Sequence, residues 1–351
     1  MATQWIRRLG TKRSGFRYVK ADGTPVRAAR TLARIDALRI PPAWTDVHVA
    51  TTDAAAVQAW GFDAKGRKQY RYHERAMARS ELRKHHRVRE LAHDLPAIRR
   101  RIGRDFARRG LTRARVTAGV IRLISEGFFR VGSERYAKEN KTFGITTLQK
   151  RHVRIEDGCA VFSYVGKRSI EQRQVIVDAA LARFVAQLAG TPGRRLFRYQ
   201  DADGQWADLS ARDVNEYLHA LVGVPYTAKD FRTWGGTLRA AMVLSDIGAP
   251  TSPAEAKKNV LTAVRLVAAE LGNTPLIARK SYIHPLVLSR YLDEGETIAP
   301  PRRLRATGAA AHTADERALI DFLNRHFPER RAAERRAPRE DARDRREGGG
   351  R

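Results

Sequence analysis

Four residues of this chain carry, between them, the chemistry needed to break and remake a phosphodiester bond. Arg130 lies in Phe128-Phe129-Arg130-Val131-Gly132-Ser133-Glu134-Arg135-Tyr136, and Lys167 in Val165-Gly166-Lys167-Arg168. Arg232 lies in Lys229-Asp230-Phe231-Arg232-Thr233-Trp234-Gly235, and Tyr282 in Ala278-Arg279-Lys280-Ser281-Tyr282. Guanidinium and ammonium groups hold non-bridging oxygens, and a phenol can attack phosphorus to give a covalent intermediate. A free tyrosine titrates near pH ~10, so it needs cations close by to lose its proton at neutral pH. The departing sugar oxygen is a poor leaving group, and a general acid there contributes roughly 100- to 10,000-fold. Lysine can supply that proton, whereas arginine scarcely releases one. Taken singly, three of the four also have an ordinary explanation. Arg130 reads as a surface arginine after a helix, Lys167 as a solvated turn residue, and Tyr282 as a half-buried core side chain. Arg232, by contrast, falls in a first helical turn, where the dipole disfavours a cation.

The elements that must position these groups can be read from periodicity and caps. Val116, Val120, Leu123 and Ile124 mark a helix over 112–127 that ends just before Arg130. Three strands are expected at 146–148, 160–165 and 170–177, with Gly166-Lys167 closing the hairpin between the last two. Helices are expected over 179–188 and from Ser210 to about Leu221. Thr227-Ala228-Lys229-Asp230 is a capping box that starts a helix to Ile247. Ser252-Pro253 opens another helix, ended by Gly272, with Tyr282 after it. Thr313 caps a last helix to about Phe327. The first 75 residues read as β-rich: Phe16 to Val19 and Thr24 to Val26 flank the turn Ala21-Asp22-Gly23, 47–50 is a short strand, and 57–62 and 67–73 flank Asp63-Ala64-Lys65-Gly66. Tyr70 and Tyr72 share one face of that last strand, with Arg71 on the other.

The fold class is therefore α+β: a small β-rich N-terminal domain, 1–80; a basic connector, 81–96, within a charge-dense stretch, 74–95, that reads as a helix or a connector and reaches a boundary near Asp94-Leu95-Pro96, its run Arg83-Lys84-His85-His86-Arg87 reading equally as a binding segment or a solvated face; and a larger, mostly helical domain, 97–327, with a small three-stranded sheet. Residues 328–351 lack apolar periodicity and read as a disordered charged tail. The chain has 351 residues, with 67 Lys and Arg against 38 Asp and Glu. The tail holds nine arginines and six acidic residues, so 26 of the 29 net positive charges belong to the rest. A surplus of that size points to nucleic acid. The single cysteine, Cys159, excludes an intrachain disulfide and a zinc finger and fits a reducing cytoplasm. No apolar run is long enough to span a membrane. No histidine pair has metal-ligand spacing, no phosphate-binding loop is present, and acidic clusters for two divalent ions are missing, so no metal or small-molecule cofactor is expected.

In order and in flanks, these segments resemble the type IB DNA topoisomerases of the poxvirus-like bacterial branch. The resemblance runs over roughly residues 10 to 325. It includes Gly61-Phe62-Asp63 to Lys68-Gln69-Tyr70-Arg71-Tyr72, the Arg130 segment with Lys138 to Gly144, the Lys167 turn, the Arg232 segment, and Asn273-Thr274-Pro275 to Tyr282. It implies a catalytic domain similar to those of tyrosine recombinases, with Tyr282 as nucleophile, Arg130 and Arg232 bracing the phosphate, and Lys167 as general acid. Asn273 stands where viral and eukaryotic members carry histidine; an amide can donate to a phosphate oxygen but holds no charge. Lys68, Tyr70, Arg71, Tyr72, Lys229, Arg279 and Lys280 are the expected DNA contacts. The implied partner is duplex DNA, clamped by a monomer in the bacterial nucleoid, and the implied activity is relaxation of supercoils through a 3′-phosphotyrosyl intermediate. A tyrosine recombinase shares the chemistry, but such enzymes usually carry His-x-x-Arg where this chain has Lys229-Asp230-Phe231-Arg232. A non-enzymatic DNA-binding protein would not need the intact quartet.

Overall fold

The computed structural model describes residues 5–301 and 308–326; the expected tail, 328–351, lies outside the described residues. The chain divides into two compact units, Met1–His85 and His86–Arg351.

In the first unit, β1 (Trp5–Thr11), β2 (Gly15–Val19), β3 (Thr45–Ala50), β4 (Val57–Phe62) and β5 (Lys68–Tyr72) form one antiparallel sheet in the order β2-β1-β3-β4-β5. Alternation puts Ile6, Val47, Val49 and Ala59 on one face, where they bury Ile35 of α1 (Ala29–Ala37). The expected turn at Ala21-Asp22-Gly23 is present, with Lys20 N–H on Thr24 O at 2.8 Å. Residues 24–26, however, add only a bridge at Val19 and Pro25, because proline has no N–H for a ladder. The strand that pairs with β2 is β1, a run too rich in arginine to stand out by hydropathy.

The second unit is mainly helical. α2 (Glu74–Phe106) begins in the first unit and runs through the division; at 33 residues it is about 50 Å long. The sequence places a boundary at Pro96, but the helix passes through it. Proline leaves the carbonyl of Ala92 without its helical donor, and His312 Nε2–H supplies one at 2.7 Å. Of the two readings of the basic stretch, helix and connector, the helix holds: 81–96 is helix interior. α3 (Arg113–Gly127), α4 (Glu134–Asn140), α5 (Ala179–Ala189), α6 (Ala211–Val222), α7 (Ala228–Ile247), α8 (Pro253–Glu270), α9 (Pro275–Ser281), α10 (Pro285–Glu294) and α11 (Ala314–His326) follow. A core containing Phe129, Phe162, Phe184, Phe197, Tyr226 and Tyr291 unites these helices other than α4, which buries none of its residues.

The sheet of this unit has the order β6-β7-β8, from β6 (Val153–Glu156), β7 (Cys159–Val165) and β8 (Glu171–Ile176). A two-stranded ribbon, β9 (Arg198–Gln200) with β10 (Trp206–Asp208), lies beside it in sequence. The strand expected at 146–148 is instead a single 3₁₀ turn, Ile145–Thr147. Its threonines are buried because their hydroxyls bond backbone: Thr146 Oγ1 to Val131 O at 2.8 Å and Thr147 Oγ1 to Gly144 O at 2.9 Å. β-Branched residues suit a strand by propensity, but here tertiary hydrogen bonds decide the conformation.

Candidate active site

Arg130, Arg232, Asn273 and Tyr282 converge at the turn between α8 and α9. Arg130 follows α3 in an extended segment that the 3₁₀ turn holds by its backbone: Ile145 N–H reaches Arg130 O at 2.7 Å and Thr146 N–H reaches Val131 O at 2.9 Å. Its Nη2 donates to the carbonyl of Gly272 and to Asn273 Oδ1, both at 2.7 Å. Arg232 stands one turn into α7, only 3% exposed, and its Nη2 donates to Leu271 O at 2.9 Å. One short turn, 271–273, therefore anchors both guanidiniums.

The start of α7 is locked separately. Asp230 Oδ2 accepts from Thr227 N–H and Oγ1–H at 2.9 and 2.8 Å, the reciprocal cap foreseen from sequence. Its Oδ1 pairs with Arg87 of α2, Nε and Nη2 both at 3.0 Å. Arg87, part of a basic run whose role the sequence left open, thus neutralises a buried carboxylate two residues from Arg232.

Tyr282 is the residue that ends α9, its N–H on Ala278 O at 3.0 Å. The Arg232 guanidinium carbon lies 5.1 Å from the centre of its half-buried ring. Thr237 of α7 fixes the following backbone: its hydroxyl donates to Thr233 O at 2.7 Å and accepts from His284 N–H at 3.0 Å. Burial pushes the Tyr282 phenol up, but the charge and hydrogen bond of Arg232, with the charges of Arg130 and Lys229, outweigh it and bring the group below the ordinary tyrosine value. Arg232 itself is lowered to about 10, by burial and then by Arg130, and remains charged at neutral pH.

A second phenol, which sequence reasoning missed, lies beside the same cations. Tyr164 of β7 is 8% exposed, and burial drives it up to about 12 despite Arg130 and Arg232. The environment separates the two tyrosines, one eased toward phenolate and one held neutral. Position 164 alternates inward on its strand with Phe162 and Ala160, which is the only sign of it in the sequence.

Two buried donors here have no partner among the described residues: Arg232 Nε and Asn273 Nδ2. The amide orientation is fixed because Arg130 donates to Oδ1, leaving Nδ2 as donor. Unsatisfied buried donors cost about 1–3 kcal/mol each, so this pair suits an oxyanion.

Lys167 is not drawn into this cluster. It sits exposed on the β7–β8 turn and makes no hydrogen bond or ion pair among the described residues. Lys229, Arg279 and Lys280 are exposed as well, the last two in the final turn of α9. In the first unit, Lys68, Tyr70 and Tyr72 share the exposed face of β5, with the two tyrosine rings 5.8 Å apart. Lys68 Nζ lies 3.7 Å over Trp60, which stacks on His48 at 4.0 Å. Arg71 points the other way: its Nη2 donates to Arg39 O at 2.8 Å, linking β5 to the chain after α1, and its guanidinium lies 5.7 Å from the Trp44 ring. Among the described residues, no group of three His, Cys, Asp or Glu is placed to hold a metal.

A buried Arg232 and a half-buried Arg130 beside a half-buried tyrosine make the kind of site that suits phosphoryl transfer through a covalent phosphotyrosine. The family model for the eukaryotic DNA topoisomerase I catalytic core matches residues 65–300, and that for the bacterial DNA topoisomerase IB N-terminal domain matches residues 15–63. DNA topoisomerase 1B of Acanthamoeba polyphaga mimivirus is 32% identical over 288 residues, 80% of this chain and 86% of the viral protein. DNA topoisomerase I of Monkeypox virus is 25% identical over 264 residues, 73% of this chain and 81% of that one. A slight structural likeness, TM-score 0.36 at 14% identity, covers 55% of this chain and 48% of XerH, a site-specific recombinase bound to palindromic difH substrate. The chain belongs to the type IB DNA topoisomerases, with the N-terminal domain of the bacterial branch. It is a type I DNA topoisomerase whose partner is duplex DNA.

Proposed function

We propose that Tyr282 is the nucleophile of this topoisomerase, that Arg130, Arg232 and Asn273 brace the scissile phosphate, and that Lys167 is the general acid. The Tyr282 oxygen, its proton lost to solvent, bonds to phosphorus. The bond from phosphorus to the 5′ oxygen breaks, and Lys167 Nζ gives that oxygen a proton. The 3′ phosphate stays on the enzyme while the free end swivels, and the reverse steps reseal the strand. The phosphotyrosyl bond conserves the energy of the phosphodiester, so a monomer needs neither nucleotide nor metal; guanidinium charge takes the part a divalent ion plays elsewhere.

The observation that carries this reading is the pair of unpartnered donors, Arg232 Nε and Asn273 Nδ2, beside a phenol whose proton is loosened by Arg232, Arg130 and Lys229. Lys68, Tyr70 and Tyr72, with Lys229, Arg279 and Lys280, contact the duplex. The test is relaxation of supercoiled plasmid in EDTA without ATP. The wild type relaxes it; Tyr282→Phe binds DNA equally and does not. A Phe variant that still relaxes plasmid removes Tyr282 from the reaction.

A further inference from the structure

Gln172 is 6% exposed on the inward face of β8, paired across the sheet with Tyr164. Further along this face Ile176 enters the apolar core, so a glutamine at 172 is not there to fill it. Its side chain lies between two glycines from distant parts of the sequence. A β-carbon on Gly166 would fall 2.7 Å from Gln172 Cγ; one on Gly272 would fall 2.0 Å from Oε1 and 2.7 Å from Cδ. Gly166 directly precedes Lys167. Gly272 directly precedes Asn273, and its own carbonyl holds Arg130.

The hairpin turn needs such support. Arg168 and Ser169 are both left-handed, φ 65° and 59°, a conformation that strains a residue with a β-carbon. The turn closes through Gly166 N–H on Ile170 O at 2.8 Å, and Gln172 Nε2 reaches the same carbonyl at 3.5 Å and Glu171 O at 3.1 Å. One amide thus touches the backbone that shapes the Lys167 turn and the backbone that anchors the phosphate-bracing arginines.

We infer that Gln172 is a positioning residue, wedged between Gly166 and Gly272, that sets the Lys167 hairpin in register with the 271–273 turn. The inference rests on Lys167 being the proton donor. Its loss should therefore act through protonation of the leaving oxygen and leave phosphate bracing intact.

The experiment compares single-turnover cleavage by the full-length enzyme on an ordinary phosphodiester and on a 5′-bridging phosphorothiolate, whose thiolate leaves unprotonated. Gln172→Ala and Gln172→Met are each expected to slow the ordinary substrate about tenfold or more, within the span a general acid supplies. Both should cleave the thiolate substrate at the wild-type rate and bind duplex DNA as the wild type does. Gln172→Met keeps the side-chain length, so it reports on the amide even where the alanine variant unfolds. Lys167→Ala serves as reference and is itself rescued by the thiolate. Rescue of Lys167→Ala without rescue of the Gln172 variants overturns the inference alone. Failure to rescue Lys167→Ala overturns the general-acid reading and the inference with it. Full activity of both Gln172 variants on the ordinary substrate also overturns the inference.

Discussion

The proposed phosphate-bracing floor and the Lys167 hairpin differ in how their cations are held. Arg232 is almost wholly buried, and both guanidiniums are bonded to the turn at Leu271, Gly272 and Asn273. Lys167 is exposed on a strained turn and bonded to nothing among the described residues. The difference fits the work proposed for each. A group that stabilises developing charge is effective when fixed in advance, since it then needs no reorganisation. A proton donor must meet an oxygen that arrives with the substrate, so its side chain gains from freedom. Burial also explains the choice of residue: arginine keeps its charge where lysine would tend to lose it.

Several substitutions break or sharpen this contrast. Arg232→Ala should lower single-turnover cleavage about 1,000-fold, since loss of one pre-set donor alone costs roughly 100- to 1,000-fold and a charge goes with it. The loss should be the same with an oxygen or a sulfur leaving group. Lys167→Ala should slow oxygen-linked cleavage roughly 100- to 10,000-fold, with thermal stability unchanged because the side chain is exposed. Equal slowing of the sulfur substrate would place Lys167 with the floor and erase the contrast. Asn273→Ala should cost about tenfold, the value of a hydrogen bond to a charged group, while Asn273→His keeps most activity. An unimpaired alanine variant would remove Asn273 from the floor.

The pH profile sharpens the same point. Burial raises the Tyr282 phenol, and Arg232, Arg130 and Lys229 together lower it below the usual value. Cleavage should rise with pH as phenolate forms. Removing a cation raises the phenol pKa, so the rising limb in Arg130→Gln must move to more alkaline pH; Lys229→Gln should move it the same way by less. A limb unmoved in both would mean that another group titrates. The smallest effect is on stability: Arg87→Ala leaves Asp230 with its cap but without its counter-ion. It should cost about 1–2 kcal/mol, tempered by the exposure of Arg87, measured by thermal or denaturant melting.

The sequence made most of the floor legible because its residues sit at element ends, where punctuation is strong. Thr227 to Asp230 set the start of α7 and hence the depth of Arg232; the short helix over Pro275–Ser281 that positions Tyr282 is absent from the sequence reading, which only places Tyr282 beyond the stop at Gly272. Interior relations left weaker traces. The buried threonines at 146 and 147 imitate a strand, and only their bonds to Val131 and Gly144 reveal the turn. Pro96 looks like a boundary until His312, 216 positions later, is seen to satisfy the carbonyl it frees. Tyr164 and Gln172 are ordinary strand residues until pairing brings them beside the arginines. Thr237 carries no signal in sequence, since its hydroxyl acts on a backbone that only folding brings near.

The most direct test of the central claim is to trap the covalent complex on nicked or suicide duplex DNA and map the modified residue by mass spectrometry. Two phenols lie by the same arginines, and only one is eased toward phenolate. The expected result is a single 3′-phosphotyrosyl adduct on Tyr282, absent in Tyr282→Phe and retained in Tyr164→Phe. An adduct on Tyr164, or a Tyr282→Phe enzyme that still forms one, contradicts it.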